Sequence, residues 1–151
     1  MVESFKIQSD INKMTLVEDR VFDFCTKYNV GNYYSTISVA VSQAVNNAIV
    51  HGNHQNPELN VTITFGTCRG GLFVEVADEG CGFEFDKYGS LPVEEREQGV
   101  GIFVMNQLAD KVTYSDGGRE VRLEFEVNGI DPADSLQRRA VLHEYFSPVI
   151  A

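Results

Sequence analysis

The chain is poor in positive charge. Its 12 Lys and Arg stand against 22 Asp and Glu in 151 residues, a formal net charge of −10. That balance argues against non-specific binding to nucleic acid or to an anionic membrane, since both need a cationic face. Cysteine is scarce too. Cys25, Cys68 and Cys81 are odd in number and lack C-x-x-C spacing, so no disulfide framework or zinc site is expected, and a reducing, cytoplasmic setting fits. His51 and His54 have no evident third ligand partner. No apolar run approaches the length of a membrane span. The opening Met1-Val2-Glu3-Ser4-Phe5-Lys6 has neither the basic nor the apolar region of a secretory signal. Two common phosphate-binding signatures are also missing. There is no G-x-x-x-x-G-K-[ST], and no glycine cluster sits in a β-α-β unit.

Hydrophobic residues make up 43% of the chain, ordinary for one globular domain with a sizeable core. An anionic nucleotide remains open as a ligand, because backbone N–H groups and a metal ion can supply a positive field. A basic patch on a protein partner would also be attracted.

Periodicity divides the chain into elements. Glu3 to Gln8 alternates polar and apolar residues, as a strand does. Ser9 or Asp10 can cap a helix running to about Tyr28, with Ile11, Met14, Val17, Val21, Phe22 and Phe24 inward. Gly31-Asn32 is a break. A second helix is predicted from about Tyr34 to His51, buried along Ile37, Val41, Ala44, Val45, Ala48 and Ile49 and stopped by Gly52. The period then changes to two. Leu59, Val61, Ile63 and Phe65 form one strand face, Gly70-Gly71 is a hairpin turn, and Leu72 to Ala77 is the partner strand.

Gly82 to Gln98, with Pro92 and Glu94-Glu95-Arg96-Glu97, has little periodicity and is expected to be a mobile loop. A helix from Gly101 to Ala109 follows, then a hairpin of Lys111–Ser115 and Glu120–Val127 around Asp116-Gly117-Gly118. Residues 1–128 form the expected domain. Residues 129–151 form a tail with a short helix near Ala133 to Tyr145, packed on the domain or contacting a partner. The order β-α-α-β-β-loop-α-β-β-α predicts an α+β fold: a two-layer α/β sandwich with a mixed, largely antiparallel sheet and helices on one face.

Three features fall in a suggestive order. Gln43 and Asn47 share a face of the second helix, with His51 one turn further on. An amide on an apolar helix needs a partner. Asn47 could bond to neighbouring backbone, or its oxygen could ligate Mg²⁺. Asp78 ends an apolar strand and opens Asp78-Glu79-Gly80-Cys81-Gly82. This is either a plain turn or an acceptor for an adenine amino group, with glycines letting the backbone approach. Gly99 and Gly101 precede the predicted third helix, whose free N–H groups suit a phosphate.

At these residues the sequence resembles the ATPase superfamily of gyrase, the heat-shock chaperone, histidine kinases and MutL (the Bergerat fold). Within it the likeness is to bacterial anti-sigma-factor serine/threonine kinases and covers about residues 1 to 127. It is carried by Val41-Ser42-Gln43-Ala44-Val45-Asn46-Asn47-Ala48-Ile49-Val50-His51-Gly52 and by Gln98-Gly99-Val100-Gly101-Ile102-Phe103-Val104-Met105. The resemblance implies that Asn47 holds Mg²⁺, that Asp78 recognises adenine, and that Gly80, Gly82, Gly99 and Gly101, with His51 and Val100, shape an ATP site. The 83–98 loop would be a lid over the phosphates. The resemblance also implies protein partners, a sigma factor or an antagonist whose serine is phosphorylated, and a tendency to dimerise.

The sequence departs from that family at three places. The general-base Glu is Gln43, neutral and unable to accept a proton. Losing such a base typically costs about 10²–10⁴-fold in rate. The hydroxyl residue expected after the last hairpin glycine is replaced by Arg119-Glu120. The lid arginine is displaced to Arg96, where it either reaches the terminal phosphate or is a solvated surface charge. The expectation is therefore an ATP-binding, nucleotide-gated protein binder with weak or absent serine kinase activity. The alternatives are a working serine/threonine kinase and a non-enzymatic interaction module. Asn47, Asp78 and the four glycines argue against the last.

Overall fold

A computed structural model describes residues 2–82 and 96–127. The first strand, β1 (Val2–Gln8), ends where the Asp10 carboxylate accepts the Asn12 N–H at 2.9 Å. That cap starts one 3₁₀ turn, Ile11–Lys13, which leads into helix α1 (Met14–Lys27). The buried face of α1 is Val17, Val21, Phe24 and Cys25. This corrects the expected stripe at two positions. Ile11 lies in the 3₁₀ turn and is 47% exposed; Phe22 is 57% exposed. Phe22 falls one residue, about 100° of helix rotation, beyond Val21, and packs edge-on against Tyr34 instead. Burial pushes the Cys25 thiol up to about 11, so this cysteine is an inert core residue.

A 3₁₀ turn at Gly31–Tyr33 breaks the chain before α2 (Tyr34–Asn47). The predicted stripe Ile37, Val41, Ala44, Val45, Ala48 and Ile49 is buried throughout. The helix does not run regularly to its end. It widens into a π-helical turn, Ala48–Gly52, in which Asn53 N–H donates to Ala48 O at 2.8 Å.

Strands β2 (Asn60–Cys68) and β3 (Gly71–Ala77) form the first hairpin, turned by Gly70 in the left-handed region. Helix α3 spans Arg96–Leu108, and β4 (Lys111–Ser115) and β5 (Glu120–Glu126) form the second hairpin. The sheet has the order β1-β2-β3-β5-β4, and its four pairings are all antiparallel. Its inner face runs Ile7, Val61, Ile63, Phe65, then Leu72, Val74, Val76, then Val121, Leu123, Phe125, and these residues are buried. Phe24 of α1 stacks on Phe65 at 4.9 Å, and α2 packs across β3 and β5 between α1 and α3. The opposite face is polar. There Arg122 covers Phe73 at 3.9 Å and pairs with Glu75 at 2.6 Å. This is the expected α+β two-layer sandwich.

Helix α3 begins at Arg96, five residues earlier than expected, so the end of the predicted loop and both glycines of the G-x-G lie inside the helix. Glycine in a helix costs about 1 kcal/mol against alanine. Packing of α3 on α2 overrides that cost. The remainder of the predicted loop and the predicted tail helix lie outside the described residues.

Asn53 ties these elements together. It is 1% exposed, and its amide donates to Ser9 Oγ at 2.8 Å and to Asn60 O at 3.0 Å, while its oxygen accepts Glu79 N–H at 2.8 Å. Ser9 Oγ in turn donates to Leu59 O at 2.7 Å. One side chain thus joins the end of the π turn to β1, β2 and the turn after β3. Asn53→Ala removes three hydrogen bonds, one buried and two part-buried, and a buried group left unsatisfied costs about 1–3 kcal/mol. Urea denaturation should show a lower midpoint at unchanged m-value, a loss of at least about 2 kcal/mol.

Candidate functional site

The central strand β3 delivers Asp78. The Asp78 N–H donates to Arg119 O at 2.9 Å, one step beyond the β3–β5 ladder, so its backbone is held by the neighbouring hairpin. Its carboxylate lies against the backbone of Gly52. A methyl group on Gly52 would overlap that carboxylate, and one on Gly80 would overlap Gly52 O. Gly52 is therefore more than a helix stop. It is the residue whose missing side chain lets the helix end and the Asp78–Gly82 turn meet. Gly80 N–H donates to Asp78 Oδ1 at 2.9 Å. Gly82, at φ +81°, lies backbone to backbone against Gly117.

A narrow, solvent-open cleft lies above this floor. Asn47, His51, Asp78 and Gly82 line it, four of the predicted site residues brought together from distant parts of the chain. Its apolar wall comes from Ala44 of α2, Ala48 of the π turn, Val76 of β3, Met105 of α3 and Val121 of β5. Tyr114, Gly118 and Arg119 close the hairpin side. An apolar slot with a few convergent polar groups has the lining of a small-ligand site.

Asp78 is half-buried, and burial pushes its carboxyl above the usual value. The Gly80 N–H and the Arg119 guanidinium pull it back, while Asp116 opposes them. A fixed, partly desolvated acceptor is thus aimed into an apolar slot, an arrangement that suits a ring amino donor.

Gln43 and Asn47 meet α3 at Gly101. A methyl group there would lie 3.0 Å from Asn47 Nδ2, 3.1 Å from Asn47 Oδ1 and 3.2 Å from Gln43 Oε1. Both amides and the second glycine of the G-x-G therefore share one spot beside the cleft. The donors are oxygens, which fits a hard cation that keeps several waters and shares phosphate oxygens. They are neutral oxygens, however, and the described residues hold no cluster of three or more His, Cys, Asp or Glu.

Gly99 lies in the first turns of α3, and Val100, partly buried, packs against the core rather than lining the cleft. Helical pairing occupies backbone N–H groups beyond the first turn. The N–H groups left unpaired by the helix therefore lie at the start of α3 rather than at Gly101. Arg96 is the first residue of that helix, and its side chain is outside the described residues. The Glu79 carboxylate accepts the Asn60 N–H at 3.0 Å.

Two contributors escape a linear search. Asn53 follows a helix end, where one amide carries no periodic signal. Arg119 stands out in sequence only as a departure from a pattern.

The raised Asp78 carboxyl has a consequence for stability. A carboxyl with a higher value in the fold than in the unfolded chain favours folding while protonated, and that contribution is lost as pH rises through the folded value. At neutral pH the ionised Asp78 therefore opposes folding. Asp78→Asn should melt no lower than wild type at pH 7, with the advantage shrinking as the pH falls into the carboxylate range. Calorimetric melting across pH checks this.

A family profile described as "Histidine kinase-like ATPase domain" matches residues 15–125. A "Serine-protein kinase RsbW" of Oceanobacillus iheyensis is 33% identical over 89 residues, 53% of this chain and 56% of that protein. One of the same description from Bacillus subtilis is 33% identical over 103 residues, 62% of this chain and 64% of that protein. An "Anti-sigma F factor" of Clostridium botulinum is 31% identical over 103 residues, 62% of this chain and 71% of that protein. The matched stretch spans about 56 to 64% of the two kinases' own length. No described helix is long and apolar enough to cross a membrane. The sheet order, the helix layer and the match over residues 15–125 agree, and the chain belongs to the histidine kinase-like ATPase domain family.

Proposed function

We propose that the chain is an ATP-binding regulator of the anti-sigma-factor type: it holds ATP with Mg²⁺, binds protein partners according to nucleotide state, and transfers phosphate weakly or not at all. The observation that carries this reading is the cleft itself, with Asp78 on its floor and the Asn47–Gln43 pair at its α3 margin. Asp78 would accept the adenine amino group. Asn47 would hold Mg²⁺, which when bound offsets the charge of the phosphates. Partners would be a sigma factor, an antagonist protein or both. The names of the similar proteins support this, and the net charge of −10 favours a basic partner surface. The setting would be cytoplasmic, and a homodimer is consistent with the family.

Gln43 sets the limit on catalysis. Its amide can orient a hydroxyl but cannot take a proton. A second reading follows from Oε1 standing beside the Asn47 amide at Gly101. In this version Gln43 orients a serine hydroxyl. The serine oxygen bonds to the γ-phosphorus, the bond to ADP breaks, and the hydroxyl proton passes to a phosphate oxygen. Phosphoryl transfer rests largely on positioning and charge stabilisation, so such a route needs no carboxylate.

Calorimetric ATP·Mg²⁺ binding and γ-phosphate release, measured side by side on wild type and Gln43→Glu, separate these readings. The first expects binding without appreciable turnover, and a gain of about 10²–10⁴-fold on Gln43→Glu. Unchanged turnover in the variant would favour the second. At about one hundred times Kd, ATP should stabilise the protein by about 2.7 kcal/mol, and no thermal shift would sink both.

Gly101→Ala tests the metal end. Alanine favours the helix by about 1 kcal/mol, yet its methyl presses on Asn47 and Gln43. The variant should melt at or above wild type while ATP·Mg²⁺ affinity falls by about tenfold, the scale of one charge-assisted contact. Adenosine monophosphate affinity without Mg²⁺ should change little.

A further inference from the structure

The Asp78–Gly82 turn and the β4–β5 hairpin meet along the cleft, and one side chain spans them. Arg119 Nε donates to Gly80 O at 2.7 Å and Nη2 to Cys81 O at 3.4 Å. Nη1 donates back into the hairpin, to Asp116 O at 3.0 Å and Asp116 Oδ1 at 3.5 Å. The Arg119 carbonyl accepts the Asp78 N–H, and its own N–H donates to Asp116 O at 3.2 Å. All three guanidinium nitrogens are used, on carbonyls of two separate loops.

Both loops need such a tie. Asp116, Gly117 and Gly118 all have positive φ, at 51°, 66° and 92°, and Asp116 has no glycine's freedom there. The opposing turn carries Gly82 at φ +81°, against Gly117 O. The Arg119–Asp116 ion pair is solvent-exposed, with side chains 36% and 68% accessible, so its charge attraction contributes little. What the guanidinium supplies is geometry: a rigid fork of donors that a lysine ammonium cannot reproduce.

We propose that Arg119 is a positioning residue for the base end of the nucleotide, clamping the Asp78–Gly82 turn to the β4–β5 hairpin and so fixing where the Asp78 carboxylate meets the base. The inference rests on the nucleotide-binding reading above and adds a determinant of base selectivity to it. Arg119 stands where the resemblance leads one to expect a small hydroxyl, and it acts through the loop carbonyls.

The test compares ATP with inosine triphosphate, which lacks the 6-amino group, by calorimetric affinity in the presence of Mg²⁺. Wild type should prefer ATP by about tenfold or more, the scale of one hydrogen bond to a charged acceptor. In Arg119→Ala that ratio should fall toward one, mostly through weaker ATP binding. Arg119→Lys should resemble Arg119→Ala, because it cannot reach both loops. It keeps the charge and most of the stem, so it gives the same ratio should the alanine variant fail to fold.

A purely structural arginine gives a different result. Loss of the binding-competent population weakens every ligand by the same factor and leaves the ratio unchanged. An unchanged ratio with ATP still bound therefore overturns the clamp alone. Wild type that binds neither nucleotide overturns the nucleotide reading, and the clamp with it. A wild-type ratio near one overturns the pairing of Asp78 with the amino group and the role given to Arg119.

Discussion

The close approach of the α2 end to the turn after β3 is the constraint on which the cleft depends. It is made by two glycines with no room for a Cβ, Gly52 against the Asp78 carboxylate and Gly80 against Gly52 O. That approach strips water from one side of Asp78 and raises its carboxyl. Asp78 is thus a partly desolvated carboxyl on the lining of the cleft. Such a group is usually kept for what it binds.

Two devices hold that approach in place, one from each side. Behind it, the buried Asn53 satisfies groups on β1, β2 and the Asp78–Gly82 turn from a single position at the end of the π turn. In front, Arg119 spans to the second hairpin. Asn53 is fully enclosed, so its bonds contribute stability as well as geometry. Arg119 is partly exposed, so its contribution is mainly geometric. The Asp78 side of the cleft is thus framed by hydrogen bonds from two directions. Its other margin rests on Gln43 and Asn47 of α2, which face α3 across Gly101.

Much of the fold was legible from periodicity. The alternation in β2 and the α2 stripe sorted inner from outer residues because burial on one face is a local pattern. The misses have physical causes. Phe22 is apolar and near the stripe, yet one residue of helix rotation places it outside. Gly99 and Gly101 look like a helix boundary because glycine disfavours helix, but packing on α2 outweighs propensity. Gly52 carried the right signal with an incomplete reason, since a sequence cannot show which backbone passes by.

By itself the sequence determined the order of the described elements, the inner face of β2, the polar set Gln43, Asn47 and Asp78, and the neutral amide at the expected base position. These depend on residue type and on spacing along the chain. Only the tertiary structure decided that Gly101 abuts both amides, that Asn53 binds three elements at once, and that Arg119 bridges two turns. Those contacts join residues far apart in sequence through donors and acceptors whose partners chain position does not specify.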